Sequence, residues 1–160
     1  MKKLLVIAVG LLSASSLFAG NNVVVSGTVA QVATLNVTTA TFTTPDPVAG
    51  FTDQQVTTVT ERCNSKLGYK VTLASLNAAA TAQAYLKSVD AANTDKINYS
   101  IKYNGSAVTL VAGSATVTDV TAKTAGTGVT KNLQISIAAA GADYNADTYS
   151  DTITFTLTAK

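Results

Sequence analysis

The stretch KINYSIKYNG, residues 96–105, alternates between two kinds of side chain and then ends in a turn. Strict alternation over residues 96–103 predicts a half-buried β-strand, because successive side chains of a strand point to opposite faces. Asn104 and Gly105 tolerate positive φ and form the strongest short-range hairpin signal. We therefore expect a return strand that begins with Val108 and Leu110. The apolar side of the first strand consists of Ile97, Tyr99, Ile101 and Tyr103.

The same alternation recurs on both sides of this hairpin. Residues 68–75 (GYKVTLAS), residues 133–137 and the ending at 149–159 (YSDTITFTLTA) place large apolar side chains at alternate positions. Residues 55–62 alternate more weakly. Turn signals separate these segments, threonine and valine are abundant, and no long helical period occurs. The sequence therefore predicts an all-β antiparallel sandwich.

Residues 1–19 have the organisation of a secretion signal. Lys2 and Lys3 give a positive start, an apolar run follows at residues 4–12, and small residues lead to Ala19. The run is too short to span a bilayer comfortably, so a cleaved bacterial signal peptide is favoured over an uncleaved anchor. We expect export, removal of this segment, and no membrane insertion of the mature chain, which has no second apolar run of sufficient length.

Composition disfavours several classes of function. The chain carries 11 basic and 9 acidic residues, so removing Lys2 and Lys3 leaves nine of each and a net charge near zero. A neutral mature chain lacks the basic surface that marks nucleic-acid binding. Histidine is absent, and no phosphate-binding glycine loop or G-x-S-x-G elbow occurs. We predict no enzyme, no catalytic residue and no cofactor.

Two groups of charged residues are candidate sites. Asp143, Asp147 and Asp151 are close enough in sequence to share a calcium ion, but a spacing of four does not match a calcium loop. A solvated turn before the last strand is the favoured interpretation, and we predict no metal site. Glu61 and Arg62 are interpreted as a surface pair that contributes little to stability.

Cys63 is the one cysteine in a chain that we expect to be exported. Exported proteins usually pair their cysteines, so a single one needs an explanation. A small buried apolar residue is the favoured interpretation, and intermolecular pairing is the alternative. A catalytic thiol is disfavoured because no histidine exists to act as its base.

Residues 21–37, NNVVVSGTVAQVATLNV, alternate directly after the expected cleavage point. From Val23 onwards, their odd-numbered side is apolar apart from Gly27 and Gln31. The segment either packs into its own domain as an ordinary first strand or packs into something else, and the pattern alone leaves both open. Gln31 marks a break, after which the domain's own first strand is expected to begin at Ala33.

Three segments together resemble a known family. They are SGTVAQVATLNVTTAT (26–41), RCNSKLGYKVTL (62–73) and DYNADTYSDTITFTLTA (143–159). This arrangement resembles the spore coat protein U domain, the pilin type of archaic chaperone–usher pili. The likeness extends over the mature chain and is strongest in the ending, where Tyr-x-Asp-Thr leads into the last strand.

The resemblance implies an immunoglobulin-like sandwich that lacks one strand. It implies export to the periplasm of a bacterium, capping by a dedicated chaperone, polymerisation through an outer-membrane usher, and a surface fimbria for adhesion or biofilm formation. In such a fibre, each subunit's N-terminal extension fills the groove left in its neighbour. The alternative is a monomeric secreted β-sandwich that binds carbohydrate or protein and closes its sheet with its own N-terminal strand.

The resemblance also gives particular residues an expected role. Residues 20–32 become the donor-strand extension, and residues 33–160 become the pilin-like sandwich domain. Gly27 suits a shallow pocket, with a local bend as the alternative interpretation. The expected donor residues are Val23, Val25, Gly27 and Val29, and the expected groove or core residues are Val71, Leu73, Ile153, Phe155 and Leu157.

The cysteine content departs from the family pattern. Such pilins typically carry a cysteine near the end of the first domain strand, bridged to the residue that here would be Cys63. Residues 36–44 contain no cysteine. We therefore expect this bridge to be missing and stability to come from packing or from the donated strand.

Overall fold

The computed structural model describes residues 23–38 and 42–160. The expected signal peptide, residues 1–19, and the start of the expected extension, residues 20–22, lie outside the described residues. Within the described part of the chain, all regular structure is β-strand. The strands are β1 (Ala33–Thr38), β2 (Phe51–Cys63), β3 (Tyr69–Ser75), β4 (Ala84–Ser88), β5 (Lys96–Tyr103), β6 (Ser106–Val108), β7 (Ser114–Val120), β8 (Val129–Ile137), β9 (Tyr149–Ser150) and β10 (Ile153–Ala159).

These strands form two sheets. The larger sheet has seven strands in the order β1-β2-β8-β5-β4-β9, with β6 also paired to β5. The smaller sheet has the order β10-β3-β7. Every pairing is antiparallel. The predicted all-β antiparallel architecture is confirmed, and the two sheets pack as an incomplete sandwich.

The core lies between the sheets and uses one face of each long strand. Val59 of β2, Leu73 of β3 and Leu133 of β8 are almost completely buried. Alternation in β5 identified its buried face correctly, because burying a strand on one side selects apolar residues at every second position. The buried side chains of β5 are Ile97, Tyr99, Ile101 and Tyr103.

The hairpin predicted from residues 96–105 is confirmed. Asn104 and Gly105 have φ values of 49° and 80°, the left-handed conformation that a two-residue turn between twisted strands requires. The return strand β6 is short and includes Val108, whereas Leu110 lies beyond the end of β6 and is buried in the core. The turn residues therefore set the register between β5 and β6.

The final segment, predicted as one strand over residues 149–159, is divided between the two sheets. β9 pairs with β4 in the larger sheet, and β10 pairs with β3 in the smaller one. The chain changes sheet at Asp151, whose carboxylate accepts hydrogen bonds from Ser75 Oγ at 2.6 Å and from Asn77 N at 3.0 Å. Tyr149 and Ile153 are both partly buried on the core side, so alternation continues through the break and does not reveal it.

Candidate functional site

β10 is an edge strand whose inner face is incompletely covered. Among the described strands, β3 is its one hydrogen-bonded partner. The odd-numbered side chains of β10 face the core, since Phe155 is opposite Leu73 and Leu157 follows the same register. Leu73 and Val71 on β3 are fully buried. Ile153, Phe155 and Leu157 are nevertheless only partly buried.

β1, at the edge of the larger sheet, is uncovered in the same way. In the register, Leu35 is opposite Glu61, and Val37 is opposite Val59. Glu61 and Val59 are fully buried, yet Val37 is 42 % exposed and Leu35 is only partly buried. Parts of β1 and β10 approach each other closely, but no described residue of β1 pairs with β10 through its main chain. Both inner faces therefore lack a covering strand.

We call this region the open seam. Its root end is where Ala33 and Ala159 lie, and its far end is where Thr38 and Ile153 lie. β1 runs from the root end to the far end, and β10 runs back. The open seam consists of the inner-face positions Ala33, Leu35, Val37, Ile153, Phe155, Leu157 and Ala159.

The main chain of β10 points alternately towards β3 and towards the open seam. Leu76 N donates to Thr152 O at 2.9 Å, and this pair is in register with the β10–β3 ladder. The even-numbered residues of β10 therefore bond to β3, and the alternate residues direct their main-chain groups away from it. The residues that present N–H and C=O groups at the free edge are Ile153, Phe155, Leu157 and Ala159.

The residues expected to donate a strand are exposed in the same chain. Val23, Val25 and Val29 are 85 %, 91 % and 87 % exposed, and a Cβ placed on Gly27 would meet no atom within 4 Å. Residues 23–32 are not part of any strand. The structure thus brings the expected groove and core residues together around β3 and β10, and it leaves the valine row apart from them.

Asn64 holds the base of this exposed segment, a role that the sequence analysis missed. Its Nδ2 donates to Ala30 O at 2.8 Å, and its Oδ1 accepts from Val32 N at 2.7 Å. Asn64 N also donates to Val32 O at 3.0 Å. One side chain therefore fixes the direction in which the segment leaves the root end. The motif RCNSKLGYKVTL contains this asparagine, but an amide that binds main chain 32 residues away has no local signature.

An aromatic pair forms the middle of the open seam. The rings of Phe155 and Tyr103 are 5.6 Å apart between centroids and tilted by 37°. Tyr103 is 3 % exposed, and its hydroxyl donates to Glu61 Oε1 at 2.7 Å. Lys131 Nζ lies 5.5 Å from the centre of the Tyr103 ring, a cation–π distance. The ring beneath Phe155 is therefore held from several sides.

Glu61 is fully buried, which corrects its interpretation as half of a surface pair with Arg62. Besides Tyr103, the Glu61 carboxylate accepts hydrogen bonds from Tyr69 at 2.9 Å and from Thr118 at 2.8 Å. It also lies 3.0 Å from the Lys131 ammonium group. These groups come from β2, β3, β5, β7 and β8, so the network joins the two sheets through the core.

The tyrosines in this network stay protonated over the working pH range of proteins. Burial is the main cause that raises the pKa of Tyr69 and of Tyr103, and the hydrogen bond to Glu61 raises both further. Burial and a hydrogen bond to Asp151 act in the same way on the pKa of Tyr99. Neutral hydroxyls are required here because each donates its proton to a carboxylate.

Cys63 is buried and free, as the favoured interpretation predicted. Its cross-strand neighbour is Ala33, at the start of β1. Thr38, at the end of β1, is opposite Thr58, five residues along β2 from Cys63. A cysteine in β1 could therefore form a disulfide with Cys63 only from the beginning of the strand. The expectation that placed the missing cysteine near the end of this strand is wrong.

The aspartates before β10 serve as acceptors for the protein's own donors. Asp147 accepts a hydrogen bond from Ser88 Oγ, which is the main cause that lowers its pKa, and Asp151 caps the turn after β3. Asp143 is exposed, as a solvated turn predicts. No group of three metal-ligating side chains occurs in residues 23–38 and 42–160.

A second, shallow opening lies between β6 and β7, at the edge of the smaller sheet away from β10. Its volume is about 180 Å³, and Tyr103, Val108 and Val117 are among its lining residues. None of its lining residues is one of the seven inner-face positions of the open seam, and Tyr103 lies beneath one of them, Phe155. The open seam offers both a row of main-chain groups and a row of apolar side chains.

One protein-family model matches the chain. The model of the Spore Coat Protein U domain matches residues 19–156. No curated protein matches the chain. The part of the chain that the structure describes contains no helix long and apolar enough to cross a membrane.

Proposed function

Because the chain belongs to the Spore Coat Protein U domain family, whose members are pilin-type subunits of chaperone–usher fimbriae, we propose that it polymerises by strand donation. In this proposal, the extension of one copy fills the open seam of the next. One observation carries the proposal. The inner faces of β1 and β10 are incompletely covered, while a valine row of matching length is exposed in the same chain.

The two partners of this interaction match in length and in period. β10 presents four inner-face positions over seven residues, Ile153–Ala159, and the extension presents four odd-numbered positions over residues 23–29. A strand added at an exposed edge gains main-chain hydrogen bonds along its length and places alternate side chains in successive pockets. The free edge of β10 has the main-chain groups that such a strand needs.

The energetics favour a fibre that does not dissociate easily. Burying each valine contributes roughly 1.5–3 kcal/mol, and each main-chain hydrogen bond contributes about 0.5–1.5 kcal/mol net. Val23, Val25 and Val29, together with the N–H and C=O groups of four β10 residues, are available. Their total is comparable with the roughly 5–15 kcal/mol that stabilises a whole domain.

The proposal includes the partners and the location that such assembly needs. An unfilled seam exposes an apolar strand edge, which aggregates unless it is covered. We therefore assign capping to a periplasmic chaperone and ordered polymerisation to an outer-membrane usher, with the finished fimbria on the bacterial surface. The family is structural rather than catalytic, so the function of the fibre is mechanical, in adhesion or biofilm formation.

The test is polymerisation of the full chain exported with its own signal. Wild-type protein should give a ladder of oligomers in an unheated detergent gel. Val25→Asp should abolish the ladder, because it would bury a charge in the seam of the next copy. Val24→Asp is the matched control: Val24 is 87 % exposed and belongs to the opposite side of the extension, so its ladder should persist.

Two results would contradict the proposal. A wild-type chain that remains a clean monomer would favour the alternative, a secreted sandwich that binds carbohydrate or protein. If the Val25→Asp variant gave an oligomer ladder as long as that of the Val24→Asp variant, the valine row would not be the donated strand.

A further inference from the structure

We propose that opposite charges at the two ends of the domain bring copies together, with the basic root end of one copy on the acidic far end of another. The inference rests on the proposed strand donation and adds the encounter that precedes it. The mature chain is nearly neutral as a sequence, whereas folding collects its basic and acidic side chains at opposite ends.

The root end is basic. It contains the end of β2, the turn into β3, the loop at residues 121–128 and the end of β10. Thr124 N donates to Cys63 O at 2.8 Å, and Lys160 N donates to Gly68 O at 3.0 Å, so these segments lie together. Within the described residues, five basic side chains and one exposed acidic side chain give this end a formal charge of +4. The basic residues are Arg62, Lys66, Lys70, Lys123 and Lys160, and the acidic one is Asp119.

The far end is acidic. β8 runs away from the root end, so the loop that follows it, residues 138–148, and the loop that precedes β2, residues 42–50, lie at the far end. Asn145 N donates to Asp95 Oδ2 at 2.8 Å, which joins the loop between β4 and β5 to them. Six acidic and two basic side chains of the described chain give this end a formal charge of −4. The acidic residues are Asp46, Asp90, Asp95, Asp143, Asp147 and Asp151, and the basic ones are Lys87 and Lys96.

The remaining charged side chains form two ion pairs. Lys102 Nζ lies 2.6 Å from Asp53 Oδ2, and Lys131 Nζ lies 3.0 Å from Glu61 Oε2. With these pairs, the nine basic and nine acidic side chains expected in the mature chain are all assigned. Their sum is zero, but the two ends carry equal and opposite charge. A surface whose charges serve solubility alone intersperses both signs, so solubility does not explain this separation.

The two charged ends adjoin the two partners of strand donation. Asn64 holds Ala30 and Val32 at the root end, so the extension leaves the domain among the basic side chains. Asp151 lies just before β10, so the open seam reaches its far end beside the acidic side chains. Contact between unlike ends therefore brings the extension of one copy close to the open seam of another, whereas like ends repel each other.

This attraction acts on the rate of assembly. Complementary charged surfaces raise association rates by about 10–10³-fold, and the effect falls steeply as salt rises. Strand insertion follows the encounter of two copies, so more frequent encounters shorten the time to a detergent-resistant oligomer. Exposed charges contribute little to the stability of the finished contact. The separation of charge therefore governs how fast copies join.

The first experiment follows the wild-type mature chain at two salt concentrations. Chains dissociated in urea, which adds no ions, are diluted into sodium chloride at about 0.01 M, where the Debye length is about 30 Å, or at about 1 M, where it is about 3 Å. The initial rate of ladder formation in unheated detergent gels should be at least about tenfold higher at the lower concentration. This test needs no variant, so it does not depend on the folding of a substituted chain.

The second experiment changes the charge of both ends while the net charge stays constant. Lys66→Glu and Lys123→Glu bring the root end to zero, and Asp90→Lys and Asp143→Lys bring the far end to zero. All four residues are exposed, and none forms an ion pair among the described residues. At low salt, this neutral-ended variant should form its ladder at about one tenth of the wild-type rate or less, and salt should no longer slow it.

Two further substitutions give a reversed variant. Adding Arg62→Glu and Asp46→Lys makes the root end −2 and the far end +2, so unlike ends again face each other. The attraction scales with the product of the two charges and is a quarter of the wild-type value, so the ladder should form about twofold faster, or more, than in the neutral-ended variant. The net charge is the same in all three chains, which makes the neutral-ended variant the matched control. Near-ultraviolet circular dichroism of each variant checks that the domain is folded.

The outcomes separate this inference from the function on which it rests. If wild-type chains form no ladder at either salt concentration, strand donation itself fails. If they form one at a rate that salt does not lower, or if the neutral-ended variant is as fast as the wild type at low salt, or if the reversed variant is no faster than the neutral-ended one, then strand donation stands and the encounter between charged ends is overturned.

Discussion

Glu61 is the residue at which strand alternation and side-chain chemistry give opposite predictions. It lies between Val59 and Cys63 on the inward face of β2, so its position predicts burial, whereas its charge predicts exposure. Position prevails because Lys131, two tyrosines and a threonine satisfy the carboxylate inside the core. Three of the four partner strands, β5, β7 and β8, are far from Glu61 in sequence, so the sequence could not identify the partners that they supply.

Removing the charge of Glu61 alone should be costly. Glu61→Leu leaves the largely buried Lys131 ammonium group without its counter-ion, and breaking a buried pair in this way costs about 3–5 kcal/mol. Adding Lys131→Met should recover much of the loss, since both charges are then gone. Urea denaturation in the non-polymerising Val25→Asp background measures the free energy of unfolding. Arg62→Leu is the exposed control, and an equal loss in it would contradict the role of the network.

Ala33 and Cys63 form a cross-strand pair that should accept a disulfide. Asn64 N donates a hydrogen bond to Val32 O, so Val32 and Asn64 form a hydrogen-bonded cross-strand pair. The next pair, Ala33 and Cys63, is therefore a non-hydrogen-bonded pair, the type in which the two Cα atoms lie closer together. Ala33→Cys should therefore lose both reactive thiols on oxidation and gain about 3–4 kcal/mol in the free energy of unfolding. In the control Thr34→Cys, the new side chain lies on the opposite face of β1 from Cys63, so both thiols should stay reduced. A disulfide in this control would contradict the register between β1 and β2.

Among the elements, β10 has two edges with different partners. Its even-numbered residues bond to β3 within the domain, and its odd-numbered residues face the open seam. The two sets of main-chain groups alternate along one seven-residue strand. Substitutions at two adjacent positions can therefore affect folding in one case and assembly in the other. The threonines at even positions gave no indication of this division, because threonine suits either face of a strand.

Proline at adjacent positions of β10 should have opposite effects. Leu157→Pro removes an N–H group that faces the open seam, an edge position that tolerates proline, so the domain should fold but lose its oligomer ladder. Thr156→Pro removes an N–H group bonded to β3 and should lower the free energy of unfolding by about 1–3 kcal/mol more than Leu157→Pro does. Thermal unfolding and unheated gels provide the two readouts, and the reverse ranking would contradict the assignment of the edges.

Across the whole molecule, exposed carboxylates contribute stability that depends on pH. Hydrogen bonds from Lys102 and Lys160 are the main causes that lower the pKa of Asp53 and of Asp119. A pKa depressed in the folded state gives stability that is present above the unfolded value, about 3.9, and is lost as pH falls through the folded value. The fold should therefore weaken below about pH 4.

The measurement is the urea midpoint followed from about pH 7 to about pH 3. Lys102→Met should flatten the acid dependence, because Asp53 then loses the partner that lowers its pKa. Lys66→Met, at an exposed lysine with no ion pair among the described residues, should leave the dependence unchanged. Equal behaviour of the two variants would show that the Lys102–Asp53 pair does not contribute.

Local signals in the sequence were sufficient for the fold class and for several elements. Alternation located β3, β5 and β8, and Asn104-Gly105 located the hairpin, since side-chain period and turn chemistry act over a few residues. β4 and β7 escaped prediction because β4 is short and β7 carries small polar side chains on a weakly alternating pattern. The break at Asp151 escaped because alternation continues across it.

The sequence by itself determined the antiparallel β architecture, the inward faces of the main strands and the family, all of which depend on residues close together in the chain. Only the tertiary structure decided that β1 and β10 leave an uncovered seam, that Glu61 is buried beneath it, and that Asn64 holds the base of the extension. These features arise because folding makes neighbours of strands that are distant in sequence, and no local pattern records which edge is left without a partner.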